Sequence, residues 1–229
     1  MSVGKLSSLQ ARVLEGLATI RPPWTLTGGG ALAGFHTQHR ATRDLDLFFR
    51  DQETLGHVTD RVREQLVASG FDVAVLRTSP TFSQLDVRDE TSSVVVDLVA
   101  DPTPQAEAPQ LTALGEATIL VDTPHQLLVN KLCALLSRSE LRDLIDVREL
   151  LTRGGDLHRA LEHSPQQDGG FSPLTFGWSV RGLRVDRLGH ALGLSDDAIV
   201  ELEKFRDELV DRVIDEARPT NTTAPLSRK

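Results

Sequence analysis

The sequence predicts an α+β fold: a mixed β-sheet flanked by helices, followed by a C-terminal helical region. Three observations predict it. Three β-rich runs, Phe71 to Arg77, Thr81 to Val87 and Ser92 to Val99, are separated only by short polar links at Ser79-Pro80 and Asp89-Glu90, the pattern of hairpin partners. A further run, Asp44-Leu45-Asp46-Leu47-Phe48-Phe49, opens with strict polar–apolar alternation, the period of a half-buried strand. Beyond residue 123 the apolar residues recur at helical spacing.

The elements follow in order. Leu6, Leu9, Val13, Leu14 and Leu17 lie on one helical face, and Arg21-Pro22-Pro23 ends that helix because proline removes a donor and restricts the residue before it. A short extended piece from Trp24 to Thr27 leads into the cluster Gly28-Gly29-Gly30, which opens a short helix to Phe35. After the strand at Asp44, the residues Leu55, Val58, Val62 and Leu66 mark a helix that stops at Gly70, a residue suited to a left-handed cap. The three hairpin strands come next. Residues 101–110, rich in Pro, Ala and acidic side chains, read as a surface loop leaving the sheet, with helices from there on. Pro124 suits the first position of a helix to Ser137, and Glu140 to Arg153 makes a second, joined by a short loop. Segment 164–177, rich in Gly, Pro, Ser and Gln, reads as a linker or loop. Ser195 caps a last helix to about Ala217, with Ile199, Leu202, Leu209 and Val213 on its buried face. The division expected is a sheet-containing unit at 1–122, a helical region at 123–219 and a disordered tail at 220–229. No internal repeat is visible.

Composition narrows the function classes. A chain of 229 residues with 39% hydrophobic content buries one substantial core and a smaller helical appendage. No apolar run approaches the roughly 18 residues of a membrane span, and no basic stretch precedes an apolar signal core, so the expectation is a soluble, cytoplasmic protein with no membrane partner. Cys133 is the single cysteine, which excludes an intramolecular disulfide and a cysteine zinc site; it reads as a small buried helix residue. A net charge of −8 argues against a surface-wide nucleic-acid footprint but leaves room for a local basic patch. With 4% aromatic residues and no tyrosine, few rings are available for stacking bases, so a polynucleotide would be read by shape and charge.

The carboxylates carry the chemistry. Alternation along a strand puts Asp44 and Asp46 on one face and Leu45 and Leu47 on the other. Two like charges side by side are unfavourable unless a cation lies between them, which suits a hard divalent ion kept partly hydrated by phosphate ligands. The alternative is a plain exposed strand edge. In the later strand, Val94, Val96 and Leu98 take one face while Asp97 stands among Val95 and Val99 on the other, so it needs a cation or a donor, or a place at the sheet rim. The glycine cluster lets backbone N–H groups approach a phosphate where the helix dipole favours negative charge, the alternative being a tight turn without a ligand; neither a Rossmann nor a P-loop fingerprint is present.

Taken together, Leu26-Thr27-Gly28-Gly29-Gly30-Ala31-Leu32 and His39-Arg40-Ala41-Thr42-Arg43-Asp44-Leu45-Asp46-Leu47-Phe48 closely resemble the motifs of the AbiEii/AbiGii toxin family, within the DNA polymerase β-like nucleotidyltransferase superfamily. The resemblance continues at Thr123 to Leu132, around Lys131, and at Arg142-Asp143-Leu144-Ile145-Asp146-Val147, covering about residues 24–153. It implies a nucleotidyltransferase fold in which residues 1–122 are the catalytic core and 123–219 complete the cleft. It implies Asp44, Asp46 and Asp97 as ligands of Mg²⁺ (or Mn²⁺), with Asp97 also taking the acceptor's proton. Gly30 departs from the Ser or Thr of many relatives, so backbone donors would serve there.

Helical geometry adds Lys131. Leu127, Leu128, Leu132 and Leu135 share one face, and Lys131 projects from within it, either snorkelling to the surface or reaching a triphosphate. Asp143 and Asp146 lie away from Leu141, Leu144 and Ile145, either solvated or aimed inward to orient Lys131 or the substrate. Arg40 and Arg43 balance the carboxylates or touch phosphate; His36 and His39 lack the companions of a metal set and read as loop-bonding.

The expected nucleotide contacts are therefore Gly28, Gly29, Gly30, Arg40, Arg43, Lys131, Asp143 and Asp146. The resemblance implies transfer of a nucleotide from an NTP to an RNA end, tRNA first, by a toxin with a cognate antitoxin. Transfer to a small molecule or a protein hydroxyl is the second reading, and a non-catalytic nucleotide-binding module the third.

Overall fold

The computed structural model describes residues 3–216; the tail expected at 220–229 and the helix end at Ala217 lie outside them. The described chain runs α1 (Ser8–Leu17), β1 (Thr25–Thr27), α2 (Gly28–Phe35), β2 (Asp44–Arg50), α3 (Val58–Ala68), β3 (Asp72–Thr78), β4 (Phe82–Arg88) and β5 (Ser93–Asp101). It continues through β6 (Gln110–Leu114), β7 (Ala117–Val121), α4 (Pro124–Arg138), α5 (Leu141–Thr152), α6 (Leu157–Gln167), α7 (Pro173–Arg181), α8 (Val185–Ala191) and α9 (Asp196–Glu216). The strands form one seven-stranded sheet in the order β3-β4-β5-β2-β1-β7-β6. Pairs β2–β5 and β1–β7 are parallel and the rest antiparallel, so the sheet is mixed, as the sequence predicts.

Its two faces differ in chemistry because each strand alternates. Leu45, Leu47, Phe49, Leu85, Val87, Val94, Val96 and Leu98 are buried on one face. The opposite face of β2 and β5 carries Asp44, Asp46, Phe48 and Arg50 beside Val95, Asp97, Val99 and Asp101, all at least partly exposed. Fully burying each branched apolar side chain contributes about 1.5–3 kcal/mol, which fixes the register: a slip of one residue would invert the faces. At the amino end, the α1 capping box joins Ser7 and Gln10, and Gln10 Nε2 also donates to the Thr42 carbonyl at 3.1 Å, tying α1 to the loop before β2.

Two expectations are corrected. The chain after residue 110 is not helical at once: β6 and β7 form a hairpin on the outer edge of the sheet. Its two-residue turn is Gly115-Glu116, with Gly115 at φ +58, the glycine-first pattern of a tight hairpin. The strands escaped notice because β6 is an edge strand with mostly exposed side chains and no clean alternation. Segment 164–177 is not a linker; α6 extends through Pro165 to Gln167, and α7 begins at Pro173. Ser172 caps α7 reciprocally with Thr175, and Pro173 occupies a position that needs no N–H, so the Ser and Pro are helix-start signals. Cys133 is buried on α4, as expected. Among the described residues no helix is long and apolar enough to cross a membrane.

Candidate active site

Parallel pairing of β2 with β5 sets Asp46 directly opposite Asp97 and Asp44 opposite Val95, so all three carboxylates rise from one face. Thr42 Oγ1 donates to Asp44 Oδ1 at 2.5 Å, and Gln84 Nε2 on β4 donates to Asp97 Oδ1 at 2.8 Å. Among the described residues no hydrogen-bond donor reaches the Asp46 carboxyl. Burial, then the charge of Asp44, and to a lesser degree Asp97, push Asp46 up to about 7 against the opposing charges of Lys131 and Arg138. Burial also raises Asp97, opposed by the Gln84 hydrogen bond and by the charge of Arg77.

This donor set fits a divalent ion in a particular way. Among the described residues no three His, Cys, Asp or Glu side chains close on a single metal position. The carboxylates form an open row, not a cage. Mg²⁺ binds characteristically through one or two carboxylates, several waters and substrate phosphates, and such a row, holding a half-buried carboxyl without a donor, suits it.

Beside the row, β1 hands over directly to α2. Thr27 pairs with Asp46, and Gly28 follows at φ +59, where a Cβ would lie 2.1 Å from Asp46 Oδ2. A side chain there is excluded twice, by backbone strain and by the carboxylate. A Cβ on Gly29 would lie 2.6 Å from Thr42 Oγ1. Gly30 differs: its missing Cβ points at Leu26 and Leu45 in the core, 3.0 and 3.3 Å away, so only its backbone is available to a ligand. The first N–H groups of α2 thus stand next to the carboxylate row with no side chain from Gly28 or Gly29 over them.

Lys131 on α4 is buried, which rules out snorkelling. Its Nζ lies 2.8 Å from both Asp143 Oδ1 and Asp146 Oδ2 of α5, and both aspartates are fully buried, which rules out solvation. Burial opposes the lysine's charge, yet Asp146 and Asp143 outweigh it and hold its pKa above the ordinary value. Asp146 also accepts from Arg40 Nε at 2.8 Å and Arg40 Nη2 at 2.7 Å and bonds His39 Nε2 at 2.9 Å. Burial would raise its carboxyl, but His39, Arg40 and Lys131 hold it well below the usual carboxylate range. Asp143 accepts from Arg138 Nε at 2.7 Å and Nη2 at 2.9 Å, and its pKa too is lowered despite burial.

Three cations and two aspartates thus lock α4, α5 and the loop before β2 together. His39, its Nδ1 2.6 Å from Thr37 Oγ1, and His36, bonded to the Asp122 carbonyl at 2.8 Å, serve as loop-bonding residues. Arg43 is exposed and makes no ion pair among the described residues.

Sequence reasoning assigned no role to Thr42, Gln84 or Arg138. Thr42 stands two residues before Asp44, a spacing that brings its hydroxyl back to the carboxylate. Gln84 becomes visible only once the β4–β5 register is known. Arg138 closes the last turn of α4 and reaches Asp143 five residues on, a contact no helical period announces. A concavity of about 500 Å³, lined by residues including Phe35, His36, His125, Arg153 and Arg159, sits near the far end of α2 and contains none of the carboxylates.

A mixed sheet with in-register carboxylates on adjacent parallel strands, a glycine turn opening a helix, and a buried lysine across from them define a nucleotidyltransferase. The chain belongs to the AbiEii nucleotidyl transferase toxin family, of the type IV toxin–antitoxin class, whose profile matches residues 12–218. Its fold is similar to that of MenT4, a nucleotidyltransferase toxin of Mycobacterium tuberculosis, at a TM-score of 0.66 and 20% identity over 89% of this chain and 82% of that one. It also resembles JHP933 of Helicobacter pylori, at a TM-score of 0.50 and 16% identity over 91% of each chain. Among curated proteins nothing matches.

Proposed function

We propose that this nucleotidyltransferase transfers a nucleoside monophosphate from an NTP to a hydroxyl at an RNA end, tRNA being the first candidate, as the cytoplasmic toxin of a pair with a cognate antitoxin. The observation that carries the chemistry is the register of Asp46 with Asp97, with Asp44 on the same face. Asp44, Asp46 and Asp97 would hold Mg²⁺ (or Mn²⁺), which when bound neutralises phosphate charge and lowers the barrier by several kcal/mol.

The chain's own groups do the rest. Backbone N–H groups at Gly28, Gly29 and Gly30 face the triphosphate, and Arg40 and Arg43 add positive charge at its flank. Lys131 has two of its three donors on Asp143 and Asp146, leaving one for a phosphate oxygen. Asp143 and Asp146 act by holding that ammonium in place. The acceptor hydroxyl attacks the α-phosphorus in line, its proton passes to Asp97, the bond to the β-phosphate breaks, and pyrophosphate leaves.

The test is incubation of the purified chain with each α-labelled NTP and Mg²⁺, with total tRNA, with other protein, or alone. Label on tRNA supports the reading. Label on protein or on a small acceptor replaces the acceptor, and no transfer under any condition defeats the enzyme assignment.

A further inference from the structure

Five residues stand at one level across five neighbouring strands: Thr27, Asp46, Asp97, Gln84 and Arg77, on β1, β2, β5, β4 and β3. The row that contains the two in-register carboxylates therefore ends in a guanidinium. A regular β3 would not achieve this. Val75 pairs with Leu85, so unbroken alternation would set Leu76 opposite Gln84 and turn Arg77 toward the apolar face. The register shifts between Val75 and Arg77, leaving Leu76 half exposed and Arg77 opposite Gln84. A bulge of this kind re-aims one side chain.

Gln84 then joins the two ends. Its Nε2 donates to Asp97 Oδ1 at 2.8 Å while its Oε1 accepts from Arg77 Nε at 3.2 Å and Nη2 at 3.0 Å. The remaining Arg77 nitrogen, Nη1, has no hydrogen-bond partner among the described residues, and the guanidinium, which lies over the Phe82 ring at 5.8 Å from its centroid, pairs with no carboxylate there.

We propose that Arg77, held by Gln84, anchors a backbone phosphate of a polynucleotide acceptor whose terminal hydroxyl lies at Asp97. The proposal rests on the nucleotidyl-transfer reading and specifies its acceptor side. Strands are about 4.8 Å apart, so Arg77 stands roughly 10 Å from Asp97 along the sheet. A small hydroxylated acceptor seated at Asp97 has no need of a cation two strands away, whereas a chain with phosphates at fixed spacing does. The planar guanidinium fork matches a phosphate better than a lysine's point charge would. One local anchor is also compatible with a chain whose net charge is −8, since it needs no extended basic surface.

The experiment is fluorescence anisotropy with a short 5′-fluorescein RNA bearing a free 3′-hydroxyl, and DNA of the same sequence, without metal or NTP. Arg77→Ala should weaken RNA binding about tenfold at low salt and reduce the log–log salt slope by about one, and Arg77→Lys should restore part of the loss. An equal loss on DNA assigns the contact to the phosphate, while a loss confined to RNA overturns that assignment. Wild-type binding by Arg77→Ala, or no RNA binding by the wild type, also overturns the proposal. Labelled-NTP transfer run in parallel separates the two readings. Arg77-dependent RNA binding without any transfer defeats the enzyme assignment alone, and transfer to RNA with RNA binding unchanged in Arg77→Ala defeats this inference alone.

Discussion

Asp46 and Asp97 face one another at the same register position on neighbouring parallel strands, with no donor between them. Like charges placed so are unfavourable in a sheet, and the same pairing that buries Leu45, Leu47, Val96 and Leu98 enforces them. The hydrophobic face therefore imposes the electrostatic strain of the polar one. Function would use that strain to draw in a cation.

The first prediction is that Asp46→Asn stabilises the metal-free protein in a pH-dependent way. The folded pKa is raised, to about 7, so the wild type keeps the contribution of neutral Asp46 below the ordinary aspartate range and loses it as pH rises through about 7. Charging such a carboxyl costs on the order of 4 kcal/mol, a cost the amide escapes because it does not ionise. In EDTA, wild type and variant should unfold alike near pH 4, and the variant should lead by about 4 kcal/mol at pH 8. Transfer should fall by orders of magnitude, each 1.4 kcal/mol or so of lost transition-state stabilisation being tenfold. A lead that shrinks with rising pH would contradict the raised pKa, and near-normal transfer would defeat the catalytic role.

Lys131→Ala should cost both stability and nucleotide binding. Removing one partner of a buried ion cluster leaves uncompensated charge, typically 3–5 kcal/mol, and about 3 kcal/mol is expected here because Arg138 and Arg40 remain on the two aspartates. Adding Asp143→Asn in the same chain should recover part of the stability and none of the NTP affinity. Urea unfolding and NTP titration well below the melting temperature read the two effects apart. A recovery of NTP affinity in the double variant would show that Lys131 does not touch the nucleotide.

Gly28→Ala and Gly154→Ala form a matched pair. Both glycines have positive φ, +59 and +93, but a Cβ on Gly154 meets nothing within 4 Å whereas one on Gly28 lies 2.1 Å from Asp46 Oδ2. Gly154→Ala should lose about 1 kcal/mol of stability through backbone strain and keep full transfer activity. Gly28→Ala should lose more stability and nearly all transfer, because Asp46 must move. Equal activity in the two variants would show that the Gly28 contact with Asp46 is not needed.

Much of this arrangement was legible in the sequence because it obeys local periods. Alternation alone put Asp44 and Asp46 on one face and Asp97 between Val95 and Val99, opposite the face of Val94, Val96 and Leu98, and helical spacing singled out Lys131, Asp143 and Asp146. What stayed hidden depends on register between distant segments. Besides Lys131, the partners of Asp146 are Arg40 and His39 from a loop more than a hundred residues earlier, so two readings, solvated or aimed inward to orient Lys131 or the substrate, stayed open for Asp146. Gln84 and Arg77 gain meaning only from the β3–β4–β5 ladder and its bulge. The β6–β7 hairpin was missed because an edge strand need not alternate.

The last prediction concerns acid stability, where Asp146 and Asp46 pull in opposite directions. The Asp146 carboxyl is held well below the usual range, so its contribution is fully present above the unfolded aspartate value near 4 and is lost as pH falls below it. Asp146→Asn should therefore be much less stable than wild type at pH 7, and the gap should close only below about pH 4. Asp46→Asn shows the reverse, a difference that opens above pH 4. Thermal unfolding of both variants across pH 3 to 8, with EDTA, measures the two slopes side by side. If the Asp146→Asn deficit were constant down to pH 3, the ion cluster around Lys131 would not be the source of its effect, and Asp146 would act through packing alone.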